Sequence, residues 1–204
     1  GRKPDLLSRS GARAGEAVYV SGTIGDGFLG LQAFGPMTDA DAVSAYAAPT
    51  PQLALGQALA GVASACIDVS DGLALDLDHI CRASQIAMEI EAAAVPLSAA
   101  GVAYAQDTNF LAALLSGGDD YQLAFTVSAE NAPKLEDIGR AAQVALTRIG
   151  TVTQSPEQSF SARFLAADDA EISFANRGYK HFWKVFAKYC LEKDFLLLLS
   201  QISG

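Results

Sequence analysis

Hydrophobic and polar residues alternate in short blocks along this chain, and the period of the alternation changes from one block to the next. A period of two predicts a strand, and apolar residues three or four positions apart predict a helix. The strand-like blocks are residues 16–22, 64–70, 85–91, 121–127 and 145–153. The helix-like blocks are residues 26–34, 50–62, 71–83, 108–118 and 128–142. Strands that alternate with helices predict an α/β domain.

The composition argues against several classes of protein. The chain has 204 residues, half of them hydrophobic, which is enough for one large domain or two small ones. It contains no run of about 18 apolar residues, so we expect no membrane span. The net charge of -9 argues against non-specific nucleic-acid binding, which needs basic patches. The 3 cysteines lack Cys-x-x-Cys spacing, so we expect a reducing, cytoplasmic location rather than disulfides or a zinc site.

The sequence CIDVSDGL, residues 66–73, places two aspartates between a buried strand and a helix. Asp68 and Asp71 can form a capping pair, because aspartate is favoured at helix N-caps and in first turns. They can also hold a divalent cation, since neighbouring carboxylates repel each other unless a cation lies between them. Mg²⁺ takes oxygen ligands and commonly bridges carboxylates to substrate phosphates. The second interpretation predicts a metal and phosphate site at this strand end.

A second acidic turn occurs in SGGDDY, residues 116–121. Gly117 and Gly118 permit a tight turn or a close approach of the backbone to a ligand. An ordinary turn between a helix and a strand has the same composition. A second acidic turn beside the first favours a functional role.

The basic residues and the histidines give weaker evidence of a functional site than the two acidic turns. Arg9 and Arg13 lie among small residues, and a guanidinium group suits phosphate recognition, although a solvated loop explains them equally well. His79 and His181 have no partner at metal-ligand spacing. The chain also lacks a Gly-x-Ser-x-Gly sequence, so a Ser/His hydrolase is poorly supported.

Taken together, these stretches resemble the thiamine-monophosphate kinases of the aminoimidazole-ribonucleotide-synthetase-like superfamily. The similar segments span roughly residues 8–182 and read RSGARAGEAVYVSGTIGDGFLGL, PTPQLALGQALA, SACIDVSDGLALDLDHICRAS, LLSGGDDYQLAFTV and GYKHF. The resemblance implies the C-terminal domain of the synthetase-like fold, a mixed β-sheet flanked by helices. It also implies the ATP-dependent phosphorylation of thiamine monophosphate to thiamine diphosphate.

The resemblance further implies which residues bind the nucleotide and its metal. Asp68 and Asp71 would bind Mg²⁺, Ser70 would contact ATP, and Arg9 would reach the phosphates of ATP. No residue would act as a catalytic acid or base, because this phosphoryl transfer needs in-line positioning and charge neutralisation more than a base.

Two further residues would bind the substrate. Asp119 stands where the family usually has a glutamate for substrate recognition, and its shorter side chain would weaken that contact or require a bridging water. Tyr179, in the segment GYKHF, would stack near the thiamine part of thiamine monophosphate.

The chain departs from the family at both ends. Family members carry an N-terminal domain with Gly-Asp-Asp and Gly-Gly-Asp motifs, which supplies most metal and nucleotide ligands and forms the usual homodimer. Neither motif occurs before residue 100, so we expect residues 1–183 to be the C-terminal domain alone, inactive by itself. The Lys-rich residues 184–204 are a second departure; they predict an amphipathic helix, either an ordinary C-terminal helix or sequence of different origin.

Two alternatives stay open. A non-catalytic binding or regulatory module of the same fold would agree with Asp119 in place of glutamate and with the absent first half. A selenophosphate synthetase would need a reactive cysteine or selenocysteine near the N-terminus, and this chain has neither there.

Overall fold

A single mixed β-sheet organises the computed structural model, which describes residues 6–32, 40–105, 107–155 and 158–178. The strands are β1 (Ala17–Ser21), β2 (Ala65–Asp68), β3 (Ala87–Glu91), β4 (Leu123–Val127), β5 (Leu146–Thr153) and β6 (Ala162–Leu165). Their order across the sheet is β2-β4-β1-β5-β3-β6. The β3–β6 pair is parallel and the other neighbouring pairs are antiparallel.

Helices cover both faces of this sheet. They are α1 (Asp26–Gln32), α2 (Ala40–Ala47), α3 (Leu53–Leu59), α4 (Leu73–Ser84), α5 (Ala99–Tyr104), α6 (Thr108–Ser116) and α7 (Leu135–Ala142), with short 3₁₀ turns at Ala92–Ala94 and Ala132–Lys134. The predicted α/β class and mixed sheet are therefore confirmed. Within the described ranges, no helix combines the length and the apolar character that a membrane crossing requires.

The two faces of the sheet belong to separate hydrophobic clusters. Neighbouring residues of β2 show this division, because Ile67 packs in the cluster that contains α4 and Cys66 packs in the cluster that contains α3 and α7. The alternation follows from the period-two geometry of a strand. Along α4 the predicted apolar face is confirmed, since Leu73, Leu77 and Ile80 are fully buried. Each such side chain stabilises the fold by about 1.5–3 kcal/mol.

The predicted strands are all present, but several boundaries differ. Strand β4 begins at Leu123 rather than at Tyr121, because Tyr121 has a φ of 51° and cannot continue an extended strand. Ser128 does not start a continuous helix, since a 3₁₀ turn containing Pro133 precedes α7. Strand β6 and helices α2 and α5 were not predicted. Tyr179 and the predicted tail helix at 184–204 lie outside the described residues.

Candidate functional site

The two acidic turns lie side by side at one end of the sheet. The carbonyl oxygen of Ser70 accepts a hydrogen bond from the Asp119 amide at 2.9 Å, and that of Val69 accepts one from the Tyr121 amide at 2.8 Å. The Val69 amide donates in turn to the carbonyl of Gln122 at 2.7 Å. The backbone therefore continues the β2–β4 pairing into both turns and joins them directly.

Glycine is required where the turns meet. Gly72 has a φ of 117°, and a Cβ atom there would lie 2.7 Å from the carbonyl oxygen of Ser116. Gly118 has a φ of 77°, and a Cβ atom there would lie 2.6 Å from the carbonyl oxygen of Ser70. Both positions combine a left-handed backbone with a contact too close for a side chain. The glycines of the two motifs thus allow the turns to interlock.

Asp76 binds the backbone of the first turn. Its Oδ2 atom accepts hydrogen bonds of 3.0, 3.0 and 3.2 Å from the amides of Ser70, Asp71 and Gly72. The helix N-cap is Gly72, so the capping interpretation of Asp68 and Asp71 is wrong for this turn. Because its amides already bind a carboxylate, the turn does not present them to a phosphate.

The burial of Asp76 has an electrostatic consequence. Burial raises the pKa of its carboxyl group to about 6. The hydrogen bond from the Asp71 amide lowers this pKa, and the nearby Asp71 carboxylate raises it. Asp68 adds a smaller effect of the same sign. The first turn therefore gathers three carboxyl groups, which favours the binding of a cation there.

Asp120 has the same structural role in the second turn. Its Oδ1 and Oδ2 atoms accept the Gly25 amide at 3.0 and 2.9 Å, and Oδ1 accepts the Gly27 amide at 3.0 Å. Burial raises the pKa of Asp120 to about 7, against these hydrogen bonds. The neighbouring Asp119 is only half-buried, and its carboxylate accepts the Tyr121 hydroxyl at 3.2 Å. Of the two adjacent aspartates, Asp119 is the one accessible to a ligand.

A groove of about 830 Å³ brings Arg9 and Asp68 together. Asp68 is exposed at the end of β2, and Tyr121 lines the same groove. The segment that carries Arg9 is fastened to α4, because Ser84 Oγ donates to the Arg9 carbonyl at 3.3 Å and accepts the amides of Gly11 and Ala12. The arginine predicted to bind phosphate and the aspartate predicted to bind a metal therefore line the same groove.

His79 has acidic neighbours that its spacing in sequence did not reveal. Ligand atoms of Asp71, Asp76 and His79 lie within 4.8 Å of one another. Burial lowers the pKa of His79, and Arg82 and Arg9 lower it further. The expectation that His79 has no partner at metal-ligand spacing is therefore wrong, because Asp76 lies three positions earlier on α4 and their ligand atoms are close together.

The ligands of the first turn that fit Mg²⁺ best are nevertheless its carboxylate oxygens rather than the His79 nitrogen. Asp68 and Asp71 provide hard carboxylate oxygens, whereas Asp76 Oδ2 is already engaged with three amides. A site of this kind leaves most coordination positions for water and for phosphate oxygens.

A second groove, of about 520 Å³, lies on the other side of the turns. It is lined by Phe28 of α1, by Ser116 and Gly117 at the end of α6, and by Asn176 and Gly178 of the last described segment. Its surface is mostly apolar, with one aromatic ring and a few uncharged polar groups. The segment that leads to Tyr179 therefore forms one wall of this groove.

The structure brings five of the six predicted site residues to the paired turns, whereas Tyr179 lies outside the described residues. The sequence analysis missed Asp76 and Asp120. A signal for Asp76 was present, because it lies three positions after Leu73 and four before Ile80, on the apolar face of α4. A carboxylate on such a face must find buried hydrogen-bond donors.

The family described as "AIR synthase related protein, C-terminal domain" matches residues 13–163, more than half of the chain. A thiamine-monophosphate kinase from Salmonella typhimurium is 38% identical over 183 residues, covering 86% of this chain and 55% of the relative. The chain thus spans about half the length of the curated relatives it matches.

Solved structures agree with this similarity. The crystal structure of a thiamine-monophosphate kinase from Stenotrophomonas maltophilia matches with a TM-score of 0.73 and 30% identity, covering 85% of this chain and 55% of that one. A structure described as AaThiL complexed with AMPPCP and TMP matches with a TM-score of 0.68 and 27% identity, covering 86% and 54%.

Proposed function

The chain belongs to the family of AIR synthase related C-terminal domains, and from this membership we propose that it is the C-terminal part of a thiamine-monophosphate kinase. The reaction would transfer the γ-phosphoryl group of ATP to the phosphate of thiamine monophosphate, giving thiamine diphosphate. The observation that carries the proposal is the interlocking of the Ser70–Gly72 turn with the Gly118–Asp119 turn beside the groove of Arg9. The relative crystallised with AMPPCP and TMP supports this choice of ligands.

On this proposal, the first turn and its groove receive the nucleotide. Asp68 and Asp71 would hold Mg²⁺, which neutralises phosphate charge when bound. Ser70 would contact ATP, and the exposed guanidinium of Arg9 would bind its phosphates. Because Asp76 already binds the turn amides, phosphate recognition depends on Arg9 and the carboxylate-bound cation rather than on the helix N-terminus.

Asp119 and Tyr179 would bind thiamine monophosphate. The thiazolium ring of thiamine carries a permanent positive charge, which an accessible carboxylate such as Asp119 stabilises. The groove beside Gly117 and Gly178 is mostly apolar, with one aromatic ring and a few uncharged polar groups, which suits a flat heterocycle. No side chain needs to act as a base, since the attacking group is already a phosphate anion.

The domain organisation and the location follow as further proposals. Residues 1–183 would form one side of the active site, residues 184–204 an appended segment, and the N-terminal domain of the family the other side and the homodimer contact. Cys66 and Cys81 are free and buried, and burial raises the pKa of each thiol to about 12. Unpaired, unreactive thiols agree with a cytoplasmic location.

The test is thiamine diphosphate formation from Mg²⁺-ATP and thiamine monophosphate. It compares the chain alone with the chain joined to the N-terminal part of the Salmonella typhimurium relative. We expect turnover only in the joined protein, and Asp68→Asn should lower it at least tenfold because a metal ligand is lost. Asp137→Asn, on the exposed face of α7, is the matched control and should leave turnover unchanged.

Two outcomes would change the proposal: one contradicts the need for an N-terminal domain, and the other contradicts the kinase activity. Turnover by the chain alone would show that the N-terminal domain is dispensable. If the joined protein folds and binds Mg²⁺-ATP but makes no thiamine diphosphate, the non-catalytic module becomes the better interpretation, which Asp119 in place of the family glutamate already favours.

A further inference from the structure

A partly buried ion pair holds the last described segment to α4. Arg177 Nε donates to Asp78 Oδ2 at 2.8 Å and its Nη2 donates to Asp78 Oδ1 at 3.1 Å. The Asp78 side chain is 5% exposed and that of Arg177 is 32% exposed. A bidentate contact of this kind fixes the direction of the arginine as well as its distance.

The pair is completed by strand β6 and by two aromatic rings. Asp78 Oδ1 also accepts the Ala162 amide at 2.9 Å, while Arg177 Nη2 donates to the Ala162 carbonyl. The guanidinium carbon lies 5.1 Å from the ring centre of Phe174 and 6.0 Å from that of Phe164. Arg177 is therefore held from its own segment, from β6 and from α4 at once.

The next residue lies against the proposed metal turn. A Cβ atom at Gly178 would lie 2.8 Å from the carbonyl oxygen of Asp71 and 2.6 Å from Cβ of Leu75. The chain therefore passes directly over the Asp71 turn one residue after the ion pair. It also forms a wall of the groove next to Gly117 there.

We propose that Arg177 is a positioning residue whose ion pair with Asp78 sets Gly178 against the Asp71 carbonyl and thereby sets the wall of the substrate groove. Arg177 touches neither substrate nor metal in this scheme. It acts through Gly178, and its loss should weaken the thiamine monophosphate site far more than the nucleotide site, because Gly178 lines the substrate groove whereas the Asp71 turn is held separately by Asp76. The effect on ligands rests on the proposed function, whereas the contact between Gly178 and the turn does not.

A second ion pair, which joins strand β6 to the last described segment, provides the matched control. Arg163 contacts Glu171 at 3.0 Å and Glu89 at 3.5 Å, and all three side chains are about half exposed. Solvent weakens such a pair, and it does not touch the turn. Arg163→Met therefore removes an arginine that also binds the last segment but does not set Gly178.

The contact is tested by nuclear Overhauser effects between the Gly178 α-protons and the Leu75 methyl groups. We expect them in the wild-type chain and in Arg163→Met, and we expect their loss in Arg177→Met. Arg177→Lys keeps the charge but cannot reproduce the bidentate contact, so partial intensity is expected. Unchanged intensity in Arg177→Met would overturn the proposal, whatever the chain catalyses.

The effect on function is tested by the affinities of the joined protein for thiamine monophosphate and for Mg²⁺-ATP. Arg177→Met should raise the dissociation constant of thiamine monophosphate at least tenfold and change that of Mg²⁺-ATP less than twofold, with partial recovery in Arg177→Lys. Equal losses for both ligands would indicate a merely structural role and overturn the proposal. If the wild-type joined protein binds no thiamine monophosphate, the proposed function fails, while the Overhauser measurement still decides the contact.

Discussion

The paired turns and helix α7 use the same acidic residue types in opposite ways. In the turns, the carboxylates of Asp76 and Asp120 are buried and bind backbone amides. In α7, Glu136 and Asp137 are each 83% exposed, and both lie 2.7 Å from the guanidinium of Arg140. The short distances suggest strong bonds in α7, but solvent determines how much each contact stabilises the fold.

Burial is what separates the two cases energetically. An exposed ion pair typically stabilises by about 0–1 kcal/mol, because water solvates the separated charges almost as well. Removing a buried carboxylate by substitution leaves its amides without hydrogen-bond partners, and each unsatisfied donor costs about 1–3 kcal/mol. The turns should therefore be sensitive to substitution, and α7 should be tolerant.

Asp76→Ala should show the largest effect. It removes the acceptor of three amides in the turn that carries Asp71, so the free energy of unfolding should fall by about 3–5 kcal/mol. Urea unfolding followed by circular dichroism measures this change. Asp137→Ala is the control for removing a carboxylate from a helix. A loss below about 1 kcal/mol would mean that water replaces Asp76 and that the contrast with α7 is false.

Asp120→Asn sharpens the comparison through pH. The carboxyl group of Asp120 keeps its proton up to about pH 7 in the folded chain, against an ordinary pKa of 3.8 in the unfolded chain. The folded state then binds more protons between these values, so its stability falls as the pH rises from 4 to 7.

The asparagine variant lacks this titration. Between pH 5 and pH 8 its free energy of unfolding should therefore fall by about 2–3 kcal/mol less than that of the wild type. Urea unfolding at both pH values measures the difference. Parallel pH profiles of the two proteins would show that Asp120 is ionised throughout and that its amide hydrogen bonds outweigh its burial.

Arg140→Met should have the smallest effect. It breaks two contacts of 2.7 Å in α7, yet we expect a change in the free energy of unfolding within about 0.5 kcal/mol. The same urea titration at low and high salt measures it. A loss of 2 kcal/mol or more, on the order of the turn substitutions, would contradict the assignment of sensitivity to burial.

Local patterns predicted most of the fold. The period-two blocks became strands β1 to β5, and the apolar face of α4 was identified residue by residue. The short strand β6 was missed because its four residues, ARFL, alternate too briefly to stand out. The sheet order and the single parallel pair could not be derived from periodicity, because pairing joins segments far apart in the chain.

The position of the two acidic turns could be predicted from the sequence, and the roles of their residues stay a prediction. The glycines and aspartates of both motifs indicated two turns with chemistry, and their proximity is confirmed by the bond between Ser70 and Asp119. The sequence did not predict which aspartates are buried structural acceptors and which are accessible. Asp119 and Asp120 are adjacent in the sequence, but Asp119 is accessible, whereas Asp120 accepts hydrogen bonds from amides 95 and 93 positions away. Arg177 was passed over because its partner, Asp78, is 99 positions earlier.

The sequence by itself determined where strands β1 to β5 and most of the helices form, since side-chain period and turn chemistry act over a few residues. It also determined which segments carry the acidic and glycine-rich turns. Only the tertiary structure decided which carboxylates are buried as structural acceptors and which face the grooves. Desolvation and hydrogen bonding depend on what the rest of the chain brings to each aspartate, and those neighbours are remote in sequence.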